Sequence, residues 1–243
     1  MNVIPLFEGV YHVDEKKEFH FKSQDIIEGK PENGYYLNVR PFLVQIENEN
    51  ILIDTGFGEE IDCEPIILRK LREQNITPNQ ITKVLISHLH KDHINGIGSW
   101  IGEQFVCNFP NAKIYIQQRE YEYAISQTNN SYNYERLEKL KSFKNIIWMN
   151  DNSGNITDNI KFDVTGGHVP FQQVFWIKEN DEIVFYGADN LPQLNYLKYH
   201  AAFKNDIDGV KAMEDRLRWE VDAKTEHWKI LFYHGKRTAI KAF

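Results

Sequence analysis

The sequence predicts a layered α/β fold with two sheets inside and helices outside. Short apolar segments bounded by turn residues recur in two successive regions, which is typical of strands. Segments with helical periodicity flank both regions. The chain has 243 residues, of which 42% are hydrophobic, and neither a repeat nor a linker divides it. We therefore expect one domain, residues 1–243, with one large core.

The first β region covers residues 35–39, 42–46 and 50–53, where apolar side chains lie between Asn, Gly and Glu. A surface helix is expected to follow from Ile61 to Asn75, since Pro65 is tolerated in a first turn and Asn75 can end a helix. Residues 84–86 are apolar on both sides, which predicts a buried strand. That strand leads directly into His88.

The second β region covers residues 146–149, 160–164, 174–177, 183–186 and 229–233. Before it, the polar, tyrosine-rich segment 118–143 predicts a helical insertion, interrupted near residues 129–131. Three roles for it stay open: a substrate lid, a dimer contact, or a helix pair that packs its own tyrosines. Between its last two strands, a long amphipathic helix capped by Asn205 or Asp206 is expected. Its apolar stripe is predicted from Ile207, Val210, Met213, Leu217 and Val221.

Composition excludes several classes of function. The net charge is −7 and no block of Lys and Arg occurs, so a nucleic-acid partner is not expected. No long uncharged apolar run and no secretory signal are visible, which predicts a soluble, cytoplasmic protein without a membrane partner. Cys63 and Cys107 lie far apart, so neither a disulfide framework nor a CxxC zinc site is indicated.

The strongest chemical signal is the run His88-Leu89-His90-Lys91-Asp92-His93. Imidazole and carboxylate are common ligands of divalent metals. In an extended loop, His88 and His90 point the same way and can share one ion, while Asp92 and His93 at a tight turn can face a second.

More ligands are needed for two ions, and they are expected at other strand ends. His168 follows two glycines, Asp189 follows a strand, and His234 follows the last strand. Each alone would be an ordinary turn residue, but their order and spacing together indicate a binuclear site.

This series of motifs resembles the metallo-β-lactamase-fold hydrolase superfamily, over about residues 35–235. Asp54-Thr55-Gly56 resembles its early Asp-Thr-Gly turn. The resemblance implies a four-layer αββα sandwich with the site at one edge, and Asp54 as a carboxylate that orients a ligand imidazole. It implies that the first ion is held by His88, His90 and His168, the second by Asp92, His93 and His234, and that Asp189 bridges them. His12, His20, His200 and His227 carry no motif and are expected in the surface or core.

Two divalent ions sharing a water can generate hydroxide at neutral pH, and zinc is expected, with Mn, Fe or Co as alternatives. The hypothesis is that this hydroxide attacks an ester-like carbonyl of a small molecule, with Asp92 as a ligand and proton carrier. Many β-lactamases of the superfamily use a Cys ligand where this chain has Asp189. The chain is more similar to the lactonase branch, which includes enzymes that open N-acyl homoserine lactones.

Three positions depart from the family pattern. Phe171 stands in place of a small Gly, Pro192 in place of the Tyr of homoserine lactonases, and Gly235-Lys236 in place of Asp-Pro. Tyr196 or Tyr199 is a candidate replacement for that Tyr, and both join Phe171 as candidate pocket residues.

Other functions remain open at this stage. One is a phosphodiester, ester or thioester hydrolase with the same metals, and another is a non-catalytic metal-containing ligand-binding or signalling protein. A homodimer is also left open.

Overall fold

The computed structural model describes residues 1–199 and 201–243, so the expectation for His200 lies outside the described residues. The chain divides into two units that are described separately. The N-terminal unit comprises residues 2–149, and the C-terminal unit comprises residues 150–243 together with Met1.

The N-terminal unit contains thirteen strands and four α-helices among the described residues. The strands are β1 (Asn2–Pro5), β2 (Gly9–Val13), β3 (Phe19–Ser23), β4 (Tyr35–Val39), β5 (Phe42–Ile46), β6 (Glu49–Ile53), β7 (Glu60–Ile61), β8 (Glu64–Pro65), β9 (Lys83–Leu85), β10 (Gly98–Ile101), β11 (Gln104–Cys107), β12 (Lys113–Gln117) and β13 (Ile146–Met149). The helices are α1 (Ile66–Glu73), α2 (Lys91–Ile94), α3 (Gln118–Ser126) and α4 (Tyr134–Leu140).

The main sheet of this unit has six strands in the order β1-β5-β6-β9-β12-β13. Strands β6, β9, β12 and β13 run parallel, and β1 and β5 complete one side in antiparallel pairs. Leu52, Val84 and Ile114 of the sheet share a buried cluster with Leu71 of α1 and Leu137 of α4. The carboxyl ends of parallel strands lie at one edge, so the segments after β6 and β9 leave the sheet side by side.

The C-terminal unit contains β14 (Ser153–Thr157), β15 (Ile160–Val164), β16 (Gln173–Glu179), β17 (Glu182–Tyr186), β18 (Lys229–Leu231) and β19 (Ile240–Ala242), with the helices α5 (Asn195–Lys198) and α6 (Gly209–Glu226). These strands form one sheet in sequential order. Only β17 and β18 pair in parallel within it, with Tyr186 opposite Leu231. Asp189 and His234 each lie three residues beyond one of these paired residues, at the same edge of the sheet.

The predicted α/β class with two main sheets is confirmed, and so are two helical pieces in segment 118–143. The strands β1, β2 and β3 were not predicted. The expected start of the first helix at Ile61 is wrong, because β7 and β8 form a hairpin there. Asp62 and Cys63 make its turn in the left-handed conformation, so the helix begins only at Ile66.

Two predictions for the long helix are also wrong. The cap is Asp208, whose carboxylate accepts a hydrogen bond from the Lys211 backbone N–H at 3.0 Å, and not Asn205 or Asp206. The buried face also differs from the predicted stripe, since Ile207, Val210, Leu217 and Val221 are exposed. The buried residues are Ala212, Asp215, Arg216, Trp219 and Ala223.

The physical reason is that the buried face is determined by the side chains that pack against the sheet. Trp219 packs on Phe185 with ring centroids 4.8 Å apart, and Arg216 reaches inward to backbone carbonyls, so the largest side chains select the buried face.

None of the helices in the described part of the chain is both long and apolar enough to span a bilayer.

Candidate metal centre

Asp54 and His93 form a fully buried pair in the N-terminal unit. Asp54 directly follows β6, and its carboxylate accepts hydrogen bonds from the Ser87 backbone N–H (2.8 Å) and hydroxyl (2.7 Å). The same carboxylate lies 2.8 Å from Nδ1 of His93, and both side chains have 0% exposure. A carboxylate only accepts, so Nδ1 carries the proton and Nε2 of His93 is the nitrogen that could bind a metal.

The candidate ligand side chains of the His88 to His93 run lie around this pair. The ring centroid of His88 lies 4.6 Å from that of His90 and 4.1 Å from that of His93. Asp92 Oδ2 lies 3.7 Å from His93 Nε2. The Ser87 hydroxyl donates to Asp54, so its oxygen accepts from Nδ1 of His88 at 3.1 Å. His88 is thereby also oriented with Nε2 available to a metal.

The short helix α2 gives this run its shape. His90 is the N-cap residue, and its carbonyl accepts from the backbone N–H groups of His93 (2.9 Å) and Ile94 (3.1 Å). One helical turn thus brings Asp92 and His93 back beside His90. Lys91 lies with Nζ 5.0 Å from the ring centroid of Phe19, and burial lowers its pKa despite the nearby Asp92 carboxylate.

Asp189 is the centre of the candidate ligands in the C-terminal unit. Its Oδ2 lies 3.4 Å from Nε2 of His168, and its Oδ1 lies 3.2 Å from Nε2 of His234. The two oxygens of one carboxylate therefore face two different imidazoles. This is the arrangement expected of a carboxylate that bridges two cations.

His168 is held by three partners that all come from its own unit. Its Nδ1 lies 2.9 Å from Asp206 Oδ1, which leaves Nε2 directed at Asp189. Its backbone N–H donates to Asn190 Oδ1 at 2.8 Å. Gly167 has φ +92°, and a Cβ there would lie 2.7 Å from Asn190 Oδ1. Only glycine therefore allows this approach.

Arg216 and Pro192 fix the segment that follows Asp189. The buried Arg216 guanidinium donates to the carbonyls of Asn190 (2.8 Å) and Ala201 (2.6 Å). The Pro192 carbonyl accepts from the backbone N–H of His234 at 3.0 Å. Both contacts tie the Asp189 loop to its surroundings, so the spacing between Asp189 and His234 is set by backbone as well as by side chains.

The departure from the family pattern at Gly235 has a steric cause. A Cβ at this position would lie 2.1 Å from the Thr238 carbonyl oxygen, because the chain turns back there to form β19. An Asp would not fit.

The donor set fits divalent metal ions. Zinc binds imidazole nitrogen and carboxylate oxygen at about 2.0–2.2 Å, so two ligand atoms at a tetrahedral angle lie about 3.3–3.5 Å apart. The 3.4 Å separation around Asp189 falls within this range, and the 3.2 Å separation lies just below it. Seven residues belong to candidate metal-binding groups, namely His88, His90, Asp92, His93, His168, Asp189 and His234.

A further candidate group comprises Asp14, Glu18 and His20. Glu18 and His20 are exposed, and Asp14 is half-buried. A surface cluster of this kind is common without a metal, and it lacks the buried carboxylate partners that hold His93 and His168.

The candidate pocket residues are in different environments. Phe171 is half-buried in the turn between His168 and β16. Tyr196 is stacked on Phe203 at 4.0 Å between ring centroids and lies under the Arg216 guanidinium, whereas Tyr199 is 66% exposed. Their role in a pocket stays a prediction.

Sequence reasoning missed three residues that hold the ligands: Ser87, Asn190 and Asp206. Ser87 and Asn190 each adjoin a predicted ligand, and adjacency was the signal that could have found them. Asp206 is 38 residues from His168, and its sequence context is that of a helix cap.

The family model of the metallo-β-lactamase superfamily matches residues 36–227. This is most of the chain and includes six of the seven candidate ligands. The chain therefore belongs to the metallo-β-lactamase superfamily and is a metal-dependent hydrolase.

Solved structures with the same fold include three informative ones. A probable metal-dependent hydrolase from Staphylococcus aureus is 20% identical with a TM-score of 0.77, covering 99% of this chain and 91% of its own. AidC, a dizinc quorum-quenching lactonase in complex with a product, N-hexnoyl-L-homoserine, is 18% identical with a TM-score of 0.74, covering 99% and 89%.

A quorum-quenching N-acyl homoserine lactone lactonase is 22% identical with a TM-score of 0.71, covering 96% and 91%. A comparison with curated proteins found no significant match. At these identities the similarity to solved structures shows the fold, and the substrate has to be argued from the chain itself.

Proposed function

We propose that this hydrolase holds two divalent ions, most simply zinc, and opens a lactone such as an N-acyl homoserine lactone. In this proposal His88, His90 and His168 bind one ion, Asp92, His93 and His234 bind the other, and Asp189 bridges them. The observation that carries the proposal is the Asp189 carboxylate, whose two oxygens face His168 and His234 at 3.4 and 3.2 Å.

Bound ions would supply an activated water and polarise the ester carbonyl. The residues around them would perform the remaining work. Asp54 and Asp206 keep the proton on Nδ1 of His93 and His168, which keeps each Nε2 available as a ligand. Asp92 is a carboxylate at the edge of this set, and in our proposal it accepts the proton of the attacking water and delivers it to the leaving alcohol oxygen.

The choice of a lactone is supported by several features. Among the described residues, the three candidate groups that make up the proposed centre contain His and Asp but no Cys. Two proteins with the same fold are described as homoserine lactone lactonases or dizinc quorum-quenching lactonases. Because Pro192 replaces the Tyr of homoserine lactonases, binding of the substrate carbonyl in this chain has to come from another group.

The test begins with complete removal of metal by a chelator, followed by addition of Zn, Mn or Co. Each form is assayed against a panel of lactones, aryl esters, thioesters and phosphodiesters. We expect hydrolysis to disappear without metal, to return with it, and to be fastest with lactones. Activity that survives verified metal removal would refute the metal mechanism, and a preference for phosphodiesters would refute the lactone.

A pair of histidine variants serves as the control. His234→Ala should lower kcat/KM by at least about 10²-fold and reduce the bound metal, because it removes a proposed ligand. His20→Ala removes a histidine from the surface group of Asp14, Glu18 and His20, and it should change neither value.

A further inference from the structure

Glu8 is a buried carboxylate whose position the hydrolytic mechanism does not use. It lies between β1 and β2 and is 0% exposed. Its two oxygens accept backbone hydrogen bonds from Phe57 (2.7 Å), Gly58 (3.0 Å) and Glu59 (3.0 Å). Burial of a carboxylate is costly, and three hydrogen bonds to one loop offset that cost.

The loop is shaped around this carboxylate. Gly56 has φ +84°, and a Cβ there would lie 2.2 Å from Glu8 Oε2. Gly58 has φ +77°, and a Cβ there would lie 2.9 Å from the Asn95 backbone. Glycine at both positions lets the backbone fold closely over Glu8, so the conformation of residues 56–59 depends on the group that they enclose.

The same segment holds a candidate metal ligand from two sides. Thr55 donates to the His93 carbonyl through its backbone N–H (2.7 Å) and its hydroxyl (3.0 Å). Asp54 holds Nδ1 of His93 at 2.8 Å. The Gly56 carbonyl accepts from the backbone N–H of Gly96, three residues after His93 in the chain, at 3.2 Å. Glu8 therefore fixes the C-terminal end of segment 54–59. At the N-terminal end, Asp54 and Thr55 hold the ring and the backbone of His93.

We propose that Glu8 is a positioning residue of the metal centre, which holds residues 54–59 so that His93 presents Nε2 at a fixed place. This inference rests on the proposed metal centre but not on the proposed substrate. A neutral apolar residue would fill the same space without accepting three N–H groups, and the loop would lose its anchor.

The electrostatic surroundings of Glu8 are consistent with this role. Burial raises its pKa to about 7, and the three backbone N–H groups oppose that shift. Tyr11 and Glu59 are the titratable groups beside it. The fully buried Tyr11 has its own pKa raised, first by burial and then by the charges of Glu8, Glu59 and Asp92.

The experiment compares Glu8→Gln with the wild type and with Glu49→Gln. Gln is nearly isosteric but turns one acceptor into a donor that faces the loop N–H groups. Glu49 is a matched control, since it begins β6, the strand that ends just before Asp54, and it pairs with Lys83 at the opposite end. Its loss should destabilise the unit without reaching the metal ligands.

The readouts are affinity for Zn by competition with a chelator, and the visible absorption spectrum of the Co-loaded protein. We expect Glu8→Gln to weaken binding of one ion by about 10- to 100-fold and to change the cobalt spectrum. Glu49→Gln should lower the thermal midpoint only. If a folded Glu8→Gln protein binds both ions as the wild type does, with the same spectrum, the proposal is overturned.

A second variant covers a failure of Glu8→Gln to fold. Thr55→Val removes the hydrogen bond from the hydroxyl to the His93 carbonyl but keeps the side-chain volume and the backbone hydrogen bond. It should weaken binding of the same ion by about tenfold. Unchanged affinity in that variant would overturn the link to His93. A wild type that binds metal but hydrolyses no substrate would refute the proposed function and leave this inference standing, whereas a wild type that binds no metal would refute both.

Discussion

The two carboxylates that orient ligand histidines, Asp54 and Asp206, have the same task in different surroundings. Asp54 and His93 are both fully buried, and Asp54 also accepts two hydrogen bonds from Ser87. The His168 and Asp206 side chains keep 16% and 6% exposure, and Asp206 lies in the loop before α6. Asp54 is thus part of a fully buried network, while Asp206 holds a histidine that remains partly exposed.

Two carboxylates with the same chemical role can therefore contribute very differently to the stability of the fold. Removing a group from a buried network leaves several donors without an acceptor, which lowers stability as well as function. Removing a group near solvent allows water to replace it. We therefore expect substitution of Asp54 to lower the stability of the protein more than substitution of Asp206 does. Both substitutions should weaken metal binding.

Asp54→Asn should have the largest effect. The change leaves the Ser87 and His93 donors facing an amide, and we expect a loss of about 3 kcal/mol in the free energy of unfolding of the metal-free protein. Urea unfolding followed by circular dichroism measures it. A loss of less than about 1 kcal/mol would contradict the buried-network description.

Gly167→Ala should have an intermediate effect in the C-terminal unit. A Cβ at this position combines a strained φ of +92° with a contact of 2.7 Å to Asn190 Oδ1. We expect a loss of about 2 kcal/mol in the free energy of unfolding, and weaker metal binding through His168.

Gly29→Ala is the matched control for this variant. Gly29 has φ +84°, but a Cβ there meets nothing within 4 Å. Gly29→Ala should lower the free energy of unfolding by about 1 kcal/mol through backbone strain alone, with unchanged metal affinity. Equal losses in the two variants would mean that Asn190 moves away at no cost, and that His168 is not held as tightly as described.

Asp206→Asn should have the smallest effect on stability, below about 1 kcal/mol, because the His168 ring that it leaves behind is partly exposed and water can reach it. Affinity for the ion that His168 binds should still fall by about tenfold, since an amide supports the imidazole less well than a carboxylate. Isothermal titration with Zn and urea unfolding measure the two quantities. A stability loss equal to that of Asp54→Asn would remove the contrast between the two carboxylates.

The sequence was sufficient to predict the elements of the site that depend on local pattern. His88 to His93 and Asp54 each follow a strand, and the parallel strands β6 and β9 bring their ends together. Asp206 could not be found in this way. The sequence contains two similar candidates, Asp206 and Asp208, and we assigned the helix cap to Asp206 or its neighbour Asn205 when Asp208 performs it.

The same limit applies to the long helix. Ile207, Val210, Leu217 and Val221 recur at helical spacing, yet the buried face carries Arg216 and Trp219 instead. A periodic pattern reports which side chains share a face, but here the hydrogen bonds of Arg216 to the Asn190 and Ala201 carbonyls decide which face is buried. Those partners become visible only when distant parts of the chain are brought together.

The parallel pairing of β17 with β18 has a consequence for how the protein would lose activity. Asp189 and His234 stand at equal distances from the paired residues Tyr186 and Leu231. A slip of one residue would displace His234 by about 3.3 Å and turn its side chain to the opposite face. Metal coordination tolerates errors of only about 0.2 Å. If Asp189 and His234 bind metal as proposed, the alignment of these two strands sets the distance between the two ligands. A small shift between the strands would then abolish metal binding, and with it activity, well before the sheet unfolds.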